Sequence, residues 1–306
     1  MNAIRPTRPN AYTGSPLDRA AHYRDDADWI AARLEDPTSL FVPVWRAKSL
    51  ITADDEPRAL FLTGEAATPV RTAGGPWAFL GQQSERAVFA VDISAIDDPA
   101  PLVAHESGRF EDLRVLAGRL PADDAAIVAH ARGLMHWRLR HRFCGVCGAA
   151  CEPRSAGYAQ SCTGCGAQHF PRTDPAVIML VHREGRVLLG NSQRFPSATM
   201  YSTLAGFVEP GESLEEAVAR EVFEEVGVRV GPVRYHSSQP WPFPASIMLG
   251  FYAEALDEQL TLQPDEIRDA RWFTRDQLQN SKHHGFDLPR RDSIARRLIE
   301  DWMTHA

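Results

Sequence analysis

Three glutamates lie close together on a segment whose apolar spacing predicts a helix. The helix is expected to begin at the capping-box pattern Ser213-Leu-Glu-Glu216 and to end at Gly227. At about 100° per residue, its apolar stripe is formed by Leu214, Ala217, Val218 and Val222. Glu221 and Glu225 fall inside this stripe, and Glu224 flanks its edge. The segment therefore predicts a helix that points carboxylates toward the protein interior.

Carboxylates that face inward need a positive partner, because burying them unpaired costs several kcal/mol. Magnesium or manganese would supply one, since hard divalent cations prefer carboxylate oxygens. The alternative is a solvated acidic face on which Arg220 pairs locally, as most charge runs do. From this helix alone, both interpretations stay open.

Four cysteines form two C-x-x-C pairs with the spacing of a zinc ribbon. The pairs are Cys144/Cys147 and Cys162/Cys165, separated by fourteen residues, and a glycine follows each pair. The pattern predicts one closed, structural zinc site. A redox pair or unused buried thiols are the alternatives, although each explains one pair better than two. Cys151 is left over and is interpreted as a lone thiol.

The composition is that of an ordinary globular protein. Hydrophobic residues make up 44% and charged residues 24% of the 306 positions. The net charge of −7 disfavours a large basic face, so any RNA binding would be local. The sequence has no apolar run long enough to span a bilayer, and its first residues lack the apolar run of a signal peptide. A cytoplasmic protein with no membrane partner is therefore expected.

The first half of the chain predicts strands followed by a helix. A helical pattern covers Pro121 to Arg140, with Asp123 or Asp124 as its cap. The expected strands are short apolar runs at Leu40–Trp45, Ala59–Leu62, Trp77–Leu80 and Ala87–Val91. These elements predict an N-terminal α+β domain.

The second half predicts further strands around the acidic helix. Two of them flank the turn Arg183-Glu-Gly185. The expected elements are strands at Ala176–Val181, Arg186–Leu189, Ile247–Ala253 and Arg271–Phe273, and a helix from about Asp292 to Met303.

The segment that contains the acidic helix resembles the Nudix box at every defined position. It reads Gly206-Phe-Val-Glu-Pro-Gly-Glu212, then seven residues, then Arg220-Glu-Val-Phe-Glu-Glu-Val-Gly-Val228. The resemblance implies an α/β/α sandwich that hydrolyses nucleoside diphosphate derivatives with magnesium or manganese, up to three ions. It also implies that Glu221, Glu224 and Glu225 are catalytic and hold metal, that Glu225 activates water, and that Arg220 braces the loop.

A proline-rich aromatic segment narrows the substrate. On residue types alone, Ser238-Gln-Pro-Trp-Pro-Phe-Pro-Ala-Ser246 is a stiff surface loop whose aromatic side chains pack into the core. Its order is similar to the signature of NADH pyrophosphatases of the NudC type, which act as homodimers on NADH, NAD or the NAD cap of RNA. The similarity implies substrate contacts at Phe207 and at Gln239, Pro240, Trp241, Pro242, Phe243, Pro244, Ala245 and Ser246. It further implies metal contacts at Glu266 and at the main-chain oxygens of Ala205 and Ala295, the latter also touching substrate.

Three positions depart from the family pattern or match it loosely. Phe170 stands where some members have tyrosine, so stacking on substrate is kept but a hydroxyl contact is lost. Gly157 stands where some relatives have an acidic substrate contact. Arg114 matches a substrate-contacting arginine if the alignment takes a one-residue gap.

The sequence as a whole predicts a mixed α/β protein of three modules. The expected boundaries are residues 1–138 for the N-terminal domain, 139–171 for the zinc ribbon and 172–306 for the Nudix domain. One rival interpretation is a Nudix hydrolase of another dinucleotide or nucleotide sugar, such as ADP-ribose. The other is a protein without catalysis that senses a nucleotide and captures RNA through Arg138, Arg140 and Arg142.

Overall fold

The chain forms two compact units. The computed structural model describes residues 9–102, 108–116 and 118–305. The N-terminal unit comprises residues 12–102, 108–116, 118–173 and 241–245, and the C-terminal unit comprises residues 9–11, 174–240 and 246–305. Within the described ranges, no helix is both long enough and apolar enough to cross a membrane.

The N-terminal unit contains a five-stranded sheet in the order β3-β4-β1-β2-β5. The strands are β1 (Leu40–Trp45), β2 (Lys48–Thr52), β3 (Trp77–Gln83), β4 (Arg86–Asp92) and β5 (Gly108–Asp112). Its helices are α1 (Ala27–Glu35), α2 (Gly64–Thr72), α3 (Leu113–Leu116) and α4 (Ala122–Arg140). Helix α4 packs against β1, β3 and β4, so one long helix covers this sheet.

Most of the elements predicted for this unit are confirmed. The run Ala59–Leu62 is not a strand, because only isolated bridges form there, at Ala59 and Leu62. The predicted cap of α4 is also wrong. The N-cap residue is Pro121, whereas the Asp124 carboxylate accepts hydrogen bonds from the Arg58 side chain and the Ala59 backbone N–H. A tertiary contact therefore replaces the local cap.

The cysteine segment folds as a small antiparallel sheet of three strands. These are β6 (Cys151–Arg154), β7 (Ala159–Cys162) and β8 (Gln168–His169), in that order. A left-handed turn at Gly157 joins β6 to β7.

The C-terminal unit contains a mixed sheet between two helical layers. The sheet order is β12-β13-β9-β10-β14, and β11 also pairs with β9. The strands are β9 (Asp174–Arg183), β10 (Arg186–Ser192), β11 (Leu204–Phe207), β12 (Val230–Trp241), β13 (Ser246–Ala255) and β14 (Ile267–Thr274). The helices are α5 (Leu214–Val226), α6 (Arg275–Gln279) and α7 (Ile294–His305).

The alternation of side chains along β9 builds the two layers. Val177, Met179 and Val181 face the apolar side of α5. Ile178 and Leu180 face the opposite way and pack with α7. The expected α/β/α sandwich is therefore confirmed.

The sequence pattern does not predict strand β12, because charged and polar residues interrupt its apolar spacing. It includes Gln239, Pro240 and Trp241, so the proline-rich aromatic segment is the end of one strand, a short turn and the start of β13.

Candidate active site and zinc site

Helix α5 begins and ends where local chemistry requires. The Ser213 hydroxyl accepts a hydrogen bond from the Glu216 backbone N–H at 3.2 Å, and the Glu216 carboxylate accepts one from the Ser213 N–H at 2.7 Å. At the other end, Gly227 adopts the left-handed conformation with φ of 74° and donates to the Phe223 carbonyl. These caps fix the register of the helix and thus the direction in which its glutamates point.

Glu221 and Glu225 lie on the buried face of α5, as predicted. Their exposed fractions are 9% and 7%, and neighbouring positions on the same face are fully buried valines. Among the described residues, no hydrogen-bond partner reaches Glu225 Oε2. Burial raises the pKa of Glu225 to about 8, and the negative charges of Glu221 and Glu266 add to this rise. Burial also raises the pKa of Glu221, against the opposing effect of Arg220.

Arg220 is the centre of an ion-pair network at the start of this face. Its guanidinium donates to Glu212, Glu221 and Glu224, at 2.9 Å for both of the latter. It also donates to the Phe207 carbonyl at 2.9 Å. These hydrogen bonds agree with the predicted bracing role of Arg220, because its guanidinium joins the loop before α5 to the helix itself. The hydrogen bonds from Arg220 hold the pKa of Glu212 at about 2.

Glu224 differs from the other two glutamates because its side chain is largely exposed. The structure has features of both interpretations of the acidic run. Arg220 pairs with its neighbours, as expected for a solvated acidic face, but Glu221 and Glu225 are buried, as expected for carboxylates that face inward. A buried carboxylate oxygen without a donor is a group that a cation would satisfy, and carboxylate oxygens are the ligands that magnesium and manganese prefer. The residues present therefore fit a divalent metal.

The remaining predicted metal positions lie in different places. Ala205, on β11, gives a backbone hydrogen bond to Glu225, and Glu266, just before β14, interacts electrostatically with Glu221 and Glu225. Ala295 lies in the first turn of α7, buried on the sheet face opposite to α5. The structure therefore brings Ala205 and Glu266 together with the carboxylates and places Ala295 with the other helical layer.

The carboxylates are not gathered as tightly as the cysteines. In residues 9–102, 108–116 and 118–305, one group of three or more metal-ligating side chains has its ligand atoms within 4.8 Å of one another, and it is the cysteine group. Two of the carboxylates, those of Glu221 and Glu224, accept hydrogen bonds from Arg220.

The four cysteines predicted to bind zinc converge on one point. Backbone N–H groups of Val146 and Gly164 donate to the sulfurs of Cys144 and Cys162 at 3.4 and 3.3 Å. Backbone N–H groups, first that of Cys147, lower the pKa of Cys144 to about 6. The glycines after each pair, Gly148 and Gly166, have φ of 76° and 75° and close the two turns. The set Cys144, Cys147, Cys162 and Cys165 therefore suits a structural zinc ion, with thiolates as ligands.

Cys151 lies outside this group. It pairs with Cys162 across the β6–β7 ladder and is partly buried. Burial raises the pKa of its thiol, and the neighbouring cysteine charges raise it further. The interpretation of Cys151 as a lone thiol stays a prediction.

One departure from the family pattern, the glycine at position 157, has a steric explanation. Its φ is +92°, and a Cβ atom there would lie 2.7 Å from both the Ala78 Cβ and the Trp77 carbonyl oxygen. Position 157 is therefore closed to a larger side chain. Phe170, in contrast, is exposed just beyond β8.

The predicted substrate residues occupy several environments. Phe207 is 58% exposed on β11 and presents a free ring. Gln239 is fully buried, and both ends of its amide bind the start of α7: Nε2 donates to the Asp292 carbonyl at 2.7 Å, and Oε1 accepts from the Ile294 N–H at 2.9 Å. Gln239 therefore fixes the helix turn that contains Ala295.

The turn after β12 packs as an aromatic cluster in the N-terminal unit. The rings of Trp241 and Phe243 have centroids 5.0 Å apart, and Tyr12 meets both edge to face. The Arg114 guanidinium carbon lies 5.3 Å from the Phe243 centroid, whereas most of the arginine side chain is exposed. The aromatic rings of the turn thus pack against Tyr12, and the largely exposed Arg114 side chain lies near Phe243.

Sequence reasoning missed Arg132 and Arg194 as residues of these environments. Arg132 is buried beside Phe243, and the charge of Arg194 opposes the pKa rise at Glu225. The one available signal for Arg132 was its place next to Ala131 on the buried face of α4. Arg138, suggested for RNA capture, is buried and donates to the Trp77 carbonyl, whereas Arg140 and Arg142 are exposed.

Three protein families match the chain in succession. The NADH pyrophosphatase-like rudimentary NUDIX domain matches residues 38–137, the NADH pyrophosphatase zinc ribbon domain residues 139–170, and the NUDIX domain residues 172–296.

Several relatives match over most of the chain. An NAD-capped RNA hydrolase NudC from Stutzerimonas stutzeri is 44% identical over 72% of this chain and 75% of its own. A NudC from Deinococcus radiodurans is 37% identical over 94% of both chains. The NAD-capped RNA hydrolase NUDT12 from Macaca fascicularis is 33% identical over 96% of this chain and 73% of its own. The chain therefore belongs to the NudC-type family of NADH pyrophosphatases and NAD-capped RNA hydrolases within the Nudix superfamily.

Proposed function

We propose that this protein hydrolyses the pyrophosphate bond of NADH and NAD to nicotinamide mononucleotide and AMP. By the same reaction it removes the NAD cap from RNA and leaves a 5′-monophosphate. The observation that carries the proposal is the buried carboxylate of Glu225, next to Glu221 on a helix braced by Arg220. The membership of the chain in the NudC-type family gives the substrate class.

Glu221, Glu225 and Glu266 would hold magnesium or manganese, up to three ions, with the main-chain oxygen of Ala205 as a further ligand. The main-chain oxygen of Ala295 would not share these ions, because Ala295 lies in the other helical layer. When bound, the metal neutralises the pyrophosphate, lowers the pKa of the attacking water and stabilises the leaving phosphate. The raised pKa values of Glu221 and Glu225 support this assignment, because a nearby cation favours their charged forms.

The side chains perform three tasks in the reaction. Glu225 accepts a proton from the attacking water, whose oxygen forms a bond to phosphorus as the bridging P–O bond breaks in line. The electron pair of that bond leaves with the departing phosphate. Arg220 holds Glu212 and the Phe207 carbonyl, which keeps the loop before α5 in place. Glu224 joins this network through Arg220.

The nucleotide would be bound by flat and polar groups. We assign stacking on the substrate to the exposed rings of Phe207 and Phe170. Arg114 would contact phosphate, since its guanidinium is largely exposed. Within the segment from Gln239 to Ser246, residues 241–246 would contact the nucleotide. Gln239 would contribute indirectly, because its amide fixes the start of α7.

Product analysis tests this function directly. Purified protein with magnesium or manganese would be incubated under equal conditions with NADH, NAD, ADP-ribose and an NAD-capped RNA. The expected result is nicotinamide mononucleotide from NADH and capped RNA, well ahead of any cleavage of ADP-ribose. The two initial rates then rank free dinucleotide against capped RNA.

Two other outcomes would change the assignment. Cleavage of ADP-ribose or another diphosphate without cleavage of NADH would keep the Nudix chemistry and reject the nicotinamide substrate. Tight, salt-sensitive RNA binding without turnover would favour the non-catalytic interpretation. The buried pair Glu221 and Glu225 argues against that second outcome, because a sensor needs no such pair.

We further propose one structural zinc ion per chain, a homodimer and a cytoplasmic location. The convergence of the four cysteine sulfurs supports the zinc, and cysteines that bind a metal instead of forming disulfides suit a reducing compartment. Exposed apolar side chains at Phe143 and Val146 offer surface for a second copy. Light scattering at several concentrations would test the dimer, and a mass of one chain throughout would reject it.

A further inference from the structure

Arg132 is a buried arginine on α4 whose contacts converge on the turn after β12. Only 5% of the residue is exposed. Its Nε donates to the Pro242 carbonyl at 2.8 Å, and its Nη1 donates to the Ala47 carbonyl. Its guanidinium carbon lies 4.9 Å from the centroid of the Phe243 ring. One side chain thus binds the backbone of the turn and lies against its central aromatic ring.

Among the described residues, few other hydrogen bonds hold the backbone of this turn. Pro240, Pro242 and Pro244 lack backbone N–H groups, so alternate residues of this stretch cannot donate. Within it, the Phe243 N–H donates to the Trp241 carbonyl. An external donor to the Pro242 carbonyl therefore adds a constraint that the turn itself does not supply.

Burial of this guanidinium is costly for the fold. A carboxylate, Asp112, lies 3.8 Å away, beyond direct hydrogen-bond distance, and it also pairs with Arg114. Burial lowers the pKa of Arg132, with Asp112 acting in the opposite direction. Replacing a buried charge with an apolar side chain of similar size is often neutral or stabilising. Stability alone thus gives a weak reason for an arginine at this position.

We infer that Arg132 is a positioning residue for nucleotide binding: it holds the Pro242 carbonyl and the Phe243 ring so that the turn receives a flat nucleotide ring. The inference rests on the proposed function, in which this turn contacts substrate. Arg132 does not touch substrate itself and acts through Phe243. Its loss weakens binding of the dinucleotide and leaves the hydrolysis of bound substrate nearly unchanged.

The same helix provides a matched control. Arg138 lies six residues further along α4, is 7% exposed, and donates to the Trp77 carbonyl instead of the turn. Arg132→Lys and Arg138→Lys both remove one buried guanidinium and keep the charge. Comparable losses of melting temperature are expected from the two variants, so any difference in substrate binding reports on the turn.

Steady-state kinetics with NADH separate the two roles. For Arg132→Lys, KM is expected to rise about tenfold and kcat to change less than about twofold, as for a residue that contributes equally to ground-state and transition-state binding. AMP affinity, measured by calorimetry, is expected to fall by a similar factor. Arg138→Lys is expected to retain the KM of the wild type.

A double-mutant cycle tests the route through Phe243. If Arg132 acts by holding the ring, Arg132→Lys combined with Phe243→Leu raises KM no further than Phe243→Leu alone. Additive effects of the two substitutions would overturn the inference. An unchanged KM in Arg132→Lys, or an equal rise in Arg138→Lys, would also overturn it.

Folding and function are distinguished by two further measurements. Circular dichroism and zinc content verify each variant, and if Arg132→Lys does not fold, Arg132→Met replaces it, because an apolar side chain of similar length removes both donors without leaving a buried charge. The expected rise in KM is again about tenfold, and no rise overturns the inference. If the wild type neither cleaves NADH nor binds AMP, the proposed function itself fails.

Discussion

The backbone of Gly206 lies directly against the carboxylate of Glu221. A Cβ atom at position 206 would lie 1.9 Å from the Glu221 Cδ atom, a distance at which one of the two must move. Gly206 is on β11 and Glu221 on α5. Because glycine has no side chain, the Glu221 carboxylate can occupy the space between the strand and the helix.

Gly206→Ala is expected to displace Glu221 and to reduce activity. A shift of about 1 Å in a reacting group costs on the order of 100-fold in rate. Overpacking of this kind also costs about 1–3 kcal/mol of stability. Melting temperature and kcat are the measurements. Glu221→Ala removes the atoms that clash, so the double variant Gly206→Ala/Glu221→Ala should melt like Glu221→Ala alone. A double variant that stays as unstable as the two losses combined would contradict the steric explanation.

Glu225→Gln is expected to reduce kcat for NADH by about 100- to 10,000-fold, the range for loss of a general base. The amide keeps the shape of the side chain but cannot accept the proton of water. Initial rates at saturating magnesium measure the effect. Glu215→Gln is the control, because Glu215 is an exposed glutamate of the same helix. Intact turnover in Glu225→Gln would show that another group activates water.

The stability of the metal-free site is expected to fall as the pH rises. Because the pKa of Glu225 is about 8 in the folded chain against an ordinary value of 4.5, the folded state binds more protons than the unfolded state between these values. The free energy of unfolding therefore decreases across this window, by an amount on the order of 3–5 kcal/mol for this group.

The difference in unfolding free energy between wild type and Glu225→Gln isolates this effect. Denaturation in buffer without added magnesium or manganese, from pH 5 to about pH 8, should show the wild type losing stability relative to the variant. Added magnesium should restore the wild type at the upper end and stabilise the variant less, because the variant lacks one of the proposed metal ligands. A constant difference across the window would refute the assigned burial of this charge.

Zinc is expected to depend on the four converging cysteines and not on Cys151. Cys162→Ser removes one ligand from a closed site, so bound zinc should fall from about one ion per chain to a small fraction, and the ribbon should lose its fold. Cys151→Ser should retain its zinc, because Cys151 lies outside the group. Metal analysis of both purified proteins gives the result. Equal zinc loss in both variants would place Cys151 among the ligands.

Features that depend on neighbouring residues were predictable from the sequence. The capping box at Ser213, the left-handed turn at Gly227 and the inward direction of Glu221 and Glu225 follow from the helical period and local hydrogen bonding. The grouping of the cysteines follows from two short turns. Strand β12 was missed and a strand at Ala59–Leu62 wrongly expected, because pairing partners decide which extended runs become strands.

The sequence by itself determined the chemistry of this protein, because the Nudix box, the cysteine pairs and the proline-rich aromatic segment are each contiguous and act through local geometry. Only the tertiary structure decided which of these side chains are exposed and which are buried against other parts of the protein. Gln239 lies in the aromatic segment yet binds the start of α7, and Arg132 meets Pro242 across 110 positions of sequence. Burial and long-range hydrogen bonds create such relationships, and no spacing along the chain specifies them.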